Sequence, residues 1–388
     1  MDPLLSTLIL ILVALVGARF SFSTLSVPPG PRLVLRTGTH FLILGFLLGP
    51  RVLGLLTQDA LLQLFPLLGM GLGWIGFLFG LQLDRRNLSQ FPLALHLLAI
   101  GQAVVVLFVF VAVGGLGAIG AGLTSRTHLL LLLGAGATAC ISTPAGIALI
   151  STNYRVLGRV RDMLLFVASL DALVGIAALQ TVYVLFPPGD LGAGLPLLTR
   201  LVWIIAALGL GVICGLLFLW LTRPRPGSEE MVLFILGIAA FSSGAALQLQ
   251  LSPLFVSVVM GSVVANLSPD PQRVFKVLEE WEKPIYVVFL LLAGALLDFS
   301  TPWIAVLAFA YGVLRAAGKV LGNMAMIRVL PLEVTPPRRF GLGLIPQGGL
   351  SLAMAISAVL TYGGLMLNGR DAGDLLFAVV VLGVLLSE

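Results

Sequence analysis

The chain has 388 residues, 59% of them hydrophobic and only 10% charged. A soluble domain carries about 25% charged residues, so this composition excludes a water-soluble globular fold. The net charge of +5 invites an anionic partner, but the placement of the basic residues explains it without nucleic acid.

Apolar runs about as long as the roughly 20 residues of a bilayer crossing repeat from end to end. They lie at about 4–22, 37–55, 60–81, 91–122, 128–152, 160–186, 197–221, 230–248, 251–267, 282–297, 302–329, 338–362 and 373–387. The pattern predicts an all-α membrane protein of about 13 transmembrane helices. Strands of about 10 residues with dyad alternation, the mark of a membrane barrel, are missing from the sequence. The fourth run is long enough to tilt or to lie partly in the interface. The first twenty residues lack the basic start and cleavage site of a signal peptide, and read as a first helix with its amino end outside. The chain stops after its last apolar run, so no soluble second domain is expected.

The 45 glycines suit close helix packing in lipid. Cys140 and Cys214 lie inside apolar runs and read as inert packing residues. His40, His96 and His128 read as packing or interfacial groups, and Asp84 and Asp298, which close their spans, as solvated caps.

Basic residues orient the helices, because cytoplasmic connections collect Lys and Arg. With the amino end outside, sixteen basic residues fall in cytoplasmic connections: Arg19, Arg32, Arg36, Arg85, Arg86, Arg155, Arg159, Arg161, Arg223, Arg225, Arg273, Lys276, Lys283, Arg328, Arg338 and Arg339. Four, Arg51, Arg126, Arg200 and Arg370, fall outside. An error of one span would scramble this alternation, so the expected topology is amino end out and carboxyl end in.

The fifth span contains Thr138, Ser142, Thr143, Pro144 and Gly146, and the twelfth contains Pro346, Gln347, Gly348, Gly349 and Ser351. Both are apolar helices interrupted near the middle. They are seven spans apart, and an odd offset reverses orientation, so the pattern is an inverted repeat. Paired broken helices in inverted halves point to a transporter binding site, although a simple proline kink in each would leave the same letters.

Asp171 lies about ten residues into the sixth span, where a carboxylate costs roughly 2.5–3.5 kcal/mol to insert. It reads as a proton or cation site, or else as a neutral, hydrogen-bonded tie between helices. Desolvation favours the protonated form of a carboxyl and a nearby cation favours the ionised form. One Asp in a dry cavity therefore holds a proton or a metal cation but not both, which is enough for antiport. The hydroxyls of Thr138, Ser142 and Thr143 and the freed carbonyls of the broken span offer hard oxygen ligands.

Arg315 and Lys319 are four residues apart in one span and share a helix face. Arg315 is read as snorkelling or charge-compensating. Lys319 is expected to face the interior, pairing with Asp171 or neutralising the carbonyl ends of the broken helices; a static structural salt bridge is the bland alternative.

Eight segments in order then resemble the monovalent cation:proton antiporters of the sodium/proton and potassium-efflux type. LILGFLLGPRVLGLL is similar to the family's second helix and GFLFGLQLDRRNL to the segment closing its third. GATACISTPAGIALI and GRVRDMLLFVASLDALVGI resemble its broken and acidic helices. LSPLFVSVVMGSVVANLSP, LLLAGALLDFS, and the pair RAAGKVLGN and GLGLIPQGGLSLAMA continue the match over roughly residues 38–360.

The resemblance implies a secondary active transporter, not an enzyme, that exchanges Na+ or K+ for H+ by alternating access without a cofactor. It implies a multi-pass protein of the cell (inner) membrane that forms a homodimer. A dimerisation domain would take spans at approximately 4–81 and 197–297. A mobile core, where the two discontinuous helices cross, would take those at approximately 91–186 and 302–387. Asp171 falls at the family's ion-binding aspartate, Lys319 at its basic residue, and Thr143 and Pro144 at its first break.

Three positions depart from the family pattern. Leu170 stands where a companion Asp, Asn or Gln is usual, Gln82 replaces a Glu, and Pro346 to Gly349 lack a charge of each sign. Fewer charges per cycle imply electroneutral exchange of one cation for one proton. The same losses also admit a degenerate, non-antiporting channel or receptor, and a sodium-coupled solute symporter on the same fold is the other alternative. No Walker-type loop supports an ATP-driven pump.

Overall fold

The computed structural model describes residues 38–123, 125–153, 158–187, 197–223, 226–299, 303–332, 336–337, 339–367 and 370–387, together with residue 12. The first apolar run, 4–22, otherwise lies outside the described residues. The twelve that follow each fall on helix. These are α1 Thr39–Leu48, α2 Phe65–Leu81, α3 Leu93–Gly120, α4 Arg126–Ala139, α5 Pro144–Asn153, α6 Arg159–Leu185 and α7 Leu197–Leu221. Then come α8 Ser228–Gln248, α9 Pro253–Leu267, α10 Pro271–Ala295, α11 Trp303–Val329, α12 Gly349–Tyr362 and α13 Ala372–Ser387. A π-helical turn, Phe110–Gly114, interrupts α3, and a two-residue ladder, Met366–Leu367 against Arg370–Asp371, joins α12 to α13.

The starts of the helices follow from local chemistry. Ser125 and Ser252 accept from the backbone N–H groups of His128 and Phe255 at the heads of α4 and α9. Asp270 does the same for Arg273 in α10. Proline sits in the first turn of α2, α9 and α10, where its missing N–H leaves no bond unmade. α10 begins eleven residues before the apolar run expected from 282, because its first half, PQRVFKVLEEWEK, is amphipathic.

Five of the described helices are long and apolar enough to cross a membrane. Their outer faces carry large apolar side chains: Leu93, Phe108 and Leu116 of α3 are 72%, 67% and 71% exposed. Asp171, Lys319 and Arg315 are meanwhile fully enclosed. Apolar groups outside and charges inside is the arrangement lipid demands.

The chain divides into two compact units, residues 1–84 with 205–298, and residues 85–204 with 299–388. In the first, glycines set the helix crossings. α2 meets α9 where a Cβ on Gly261 would stand 2.9 Å from Gly80 Cα. Gly45 of α1 faces the backbone of α10 in the same way. Around the α2–α9 crossing pack Trp74, Phe77, Phe218, Ile235 and Met260, with Phe77 and Phe218 edge to face at 5.5 Å. Asp298 pairs with Arg51, and Asp84 is only 8% exposed, so neither is the solvated cap expected of it. Gly261→Leu drives a side chain into the α2 backbone. Overpacking of this kind costs about 1–3 kcal/mol, so the variant is expected to melt at a clearly lower temperature in detergent, and an unchanged melting temperature would contradict this packing.

In the second unit α3 lies against α11 through Gly318 and Gly322. Added Cβ atoms there would stand 3.0 Å from Val106 Cα and 2.9 Å from Gln102 O. This small-xxx-small spacing lets the two backbones meet. Gly175 of α6 likewise approaches Ala137 O of α4. An apolar cluster of Leu95, Leu98, Met163, Phe166, Leu170 and Leu344 fills one side.

Candidate functional site

Helix α4 ends at Ala139, residues 140–143 are not helical, and α5 restarts at Pro144. Pro144 donates no N–H and its ring collides with the preceding turn, so the helix cannot run through it. The carbonyls of Cys140 and Ile141 and the N–H groups of Ser142 and Thr143 then need other partners. The second break is built alike. A 3₁₀ turn, Phe340–Leu344, leads into the non-helical residues 345–348 before α12 starts at Gly349. Each interruption is several residues long, more than a kink.

The two breaks touch. Thr143 N–H donates to Pro346 O at 3.1 Å. A Cβ on Gly348 would stand 2.7 Å from Thr143 Oγ1, and one on Gly146 3.4 Å from Pro346 Cβ. Both glycines make room for this contact.

Helix α11 serves both breaks. Tyr311, Arg315, Lys319 and Asn323 recur every four residues, so they form one stripe along the helix, and all are buried. Arg315 donates to Ile141 O at 2.7 Å, to Leu344 O at 3.3 Å and to Ile345 O. One guanidinium thus holds the carbonyl ends of the first and the second break. Lys319 Nζ lies one turn on, 2.5 Å from Cys140 O and 2.5 Å from Asp171 Oδ2.

Asp171, on α6, is fully enclosed and surrounded by donors. Oδ1 accepts from Ser142 N–H at 3.1 Å, and Oδ2 accepts from Gln102 Nε2 at 3.1 Å as well as from Lys319. Ser142 Oγ lies 2.9 Å from Asp171 Oδ2 and 2.7 Å from Leu344 O, and its single proton serves one of them at a time. Charge-assisted bonds of this kind are the strong ones. Even so, desolvation of a buried ion pair often exceeds its attraction, so such a pair is poor evidence of a purely stabilising role.

Of the oxygens expected around Asp171, Ser142 alone bonds it. Thr138 Oγ1 donates to Ala135 O at 2.8 Å and lies 3.3 Å from Tyr311 Oη. Gln347 joins that second network, its Nε2 within 2.8 Å of Tyr311 Oη, 3.1 Å of Thr138 O and 3.2 Å of Ser351 Oγ. Thr143 sits at the contact between the breaks, where Pro144, Gly146, Pro346, Gly348 and Gly349 shape the backbone. Lys319 pairs with Asp171 and also neutralises a carbonyl end. Arg315 is 1% exposed and does not snorkel. Leu170 turns into the apolar cluster, so position 170 brings no polar group to Asp171.

Sequence reasoning missed Gln102 and Tyr311. Gln102 had a signal, a lone amide about ten residues into an apolar helix. The Cys140 carbonyl belongs to the freed carbonyls expected of the broken span, since Pro144, four residues on, has no N–H to bond it.

The family model described as sodium/hydrogen exchanger, transmembrane, matches residues 9–387. No curated protein matches. Among solved structures, the sodium/proton antiporter MjNhaP1 from Methanocaldococcus jannaschii, at pH 8, is similar with a TM-score of 0.66 and 16% sequence identity. The match covers 100% of this chain and 96% of that one, and at such identity it shows the fold. A family match over nearly the whole sequence, on an all-helical fold shared with an antiporter, means that the chain belongs to the transmembrane sodium/hydrogen exchanger family.

Proposed function

We propose that this protein exchanges one monovalent cation, Na+ or K+, for one proton by alternating access, with Asp171 as the shared site. The observation that carries the reading is the position of Lys319 Nζ, 2.5 Å from both Asp171 Oδ2 and Cys140 O. The ammonium occupies a place where a carboxylate and a carbonyl converge on one positive charge. A metal cation that displaces it inherits both oxygens, with Ser142 Oγ beside them. A proton on Asp171 removes the negative charge that holds either cation. The carboxyl with its proton and the carboxylate with its metal ion carry the same net charge, so the two loaded forms exchange without moving charge. Leu170, packed among apolar side chains, adds no second carboxylate to change that balance.

In this reading the unit of residues 85–204 and 299–388 is the mobile core. The other unit is the scaffold through which two copies pair. Thirteen spans with the amino end out and the carboxyl end in follow from the alternation of basic residues along the sequence, and the cell (inner) membrane is the expected location.

The test is proton flux in proteoliposomes, followed with an internal pH-sensitive dye while Li+, Na+ or K+ is added. Na+ or K+ is expected to evoke flux that does not change when the membrane potential is clamped. A sustained cation-driven current would contradict one-for-one exchange, and silence with every cation across the pH range would favour the non-antiporting alternative.

A further inference from the structure

Gln102 lies on α3 with none of its surface exposed, and α11 presses on its backbone through Gly322. Its Nε2 donates to Asp171 Oδ2 at 3.1 Å. That bond fixes which way the amide faces, because an ionised carboxylate accepts and cannot donate. The other amide atom, Oε1, is buried and has no hydrogen-bond partner among the described residues. A buried carbonyl oxygen left without a partner is costly, and in a native protein it calls for an explanation such as a bound ion.

Resting on the reading that Asp171 holds the transported cation, we propose that Gln102 is a ligand of that cation and tunes its affinity. With Lys319 on the carboxylate, the amide presents Nε2 to Asp171. When a metal ion takes the place of Lys319, the amide turns about its last side-chain bond and presents Oε1 to the ion beside Oδ2. The same terminal group thus serves the carboxylate in the lysine-paired state and the metal in the loaded state. Because the amide is neutral in both, it adds a hard oxygen without adding a charge per cycle. A carboxylate at this position would add the oxygen and a charge together.

Gln102→Met keeps the length of the side chain and removes the ligand. Its KM for the cation is expected to rise about tenfold, with the maximal rate within about twofold of the wild type, the signature of a lost binding contact. The thermal stabilisation of the purified protein by added Na+ or K+ should move to correspondingly higher concentration. Gln102→Glu, which retains an oxygen at that reach and adds a carboxylate beside Asp171, is expected to bind the cation at least as tightly as the wild type and to make exchange respond to the membrane potential. Should Gln102→Met fail to fold, Gln102→Asn, which withdraws the amide by one methylene, is expected to raise KM in the same direction. An unchanged KM in the folded variant overturns the proposal. So does a fall in maximal rate at unchanged KM, and so does a Glu variant as impaired as the Met variant. Asp171→Asn run in parallel separates the two readings. If it retains flux, the shared-site reading fails, and if it abolishes flux while Gln102→Met leaves KM untouched, the Gln102 proposal alone fails.

Discussion

Asp171→Asn is expected to reduce cation-evoked proton flux in proteoliposomes to the level of empty vesicles, while the protein still purifies as a folded species. Asn has nearly the shape of Asp. Its one side-chain oxygen accepts from Ser142 N–H or from Lys319 Nζ but not from both, and its amide nitrogen then faces a donor, so only part of the contacts around the breaks persists. What it lacks is the ability to take a proton and the negative charge that balances a metal ion. Both halves of the exchange need that charge, so both fail together. Removing one partner of a buried ion pair typically costs about 3–5 kcal/mol, which sets an upper range here, because the amide keeps an acceptor in place. The assay therefore includes size-exclusion and melting controls. Undiminished flux from a folded variant would end the assignment of Asp171.

The second large effect is expected on stability, from Arg315→Met. The guanidinium reaches three carbonyls, Ile141 O, Leu344 O and Ile345 O, two of them from one break and one from the other. Ile141 and Leu344 are buried, so their carbonyls have no water to turn to. A buried acceptor that loses its donor costs about 1–3 kcal/mol. Three of them in one cluster are not additive, so we expect a loss of about 3–5 kcal/mol, the range seen on removing a buried charged partner. Arg315→Lys is expected to recover only part of this, since a point charge cannot span both breaks as a planar fork does. Thermal melting of the purified variants in detergent measures the effect. A Met variant that melts with the wild type would show that the clamp is unimportant.

The features legible in the sequence were those that violate an apolar background. A proline, a carboxylate or a lysine within a long apolar run stands out by cost alone, and Pro144, Pro346, Asp171 and Lys319 all lie where the two breaks and the ion pair are found. The pairing of Lys319 with Asp171 could be stated as one of two options, and the structure has both, through the two oxygens that share Nζ. Hydroxyl ligands were less legible. Thr138, Ser142 and Thr143 read alike as polar letters near a break, but non-helical residues do not keep the helical period, so their directions cannot be counted off. Only Ser142 turns to Asp171, Thr143 turns to the other break, and Thr138 turns to Tyr311. Gln102 was overlooked because one neutral amide among apolar residues is cheap enough to pass as packing. Arg315 reads in the sequence as snorkelling or charge-compensating, and its letter alone does not choose between them, since long basic side chains usually reach for water. In this fold the carbonyl ends of two broken helices give it a better set of partners. The early start of α10 was hidden for a related reason, because the charges that mark a connection also mark the polar face of an amphipathic helix.

The central claim is that one carboxylate holds either a proton or a metal ion. Equilibrium binding of radioactive Na+ or K+ to the purified protein, measured as the pH is lowered, tests it most directly. Competition for a single site predicts that, on the acid side, the apparent Kd rises about tenfold for each pH unit, with no loss of sites at saturation. An apparent Kd that stays constant with pH, or two metal ions bound per chain, would contradict it.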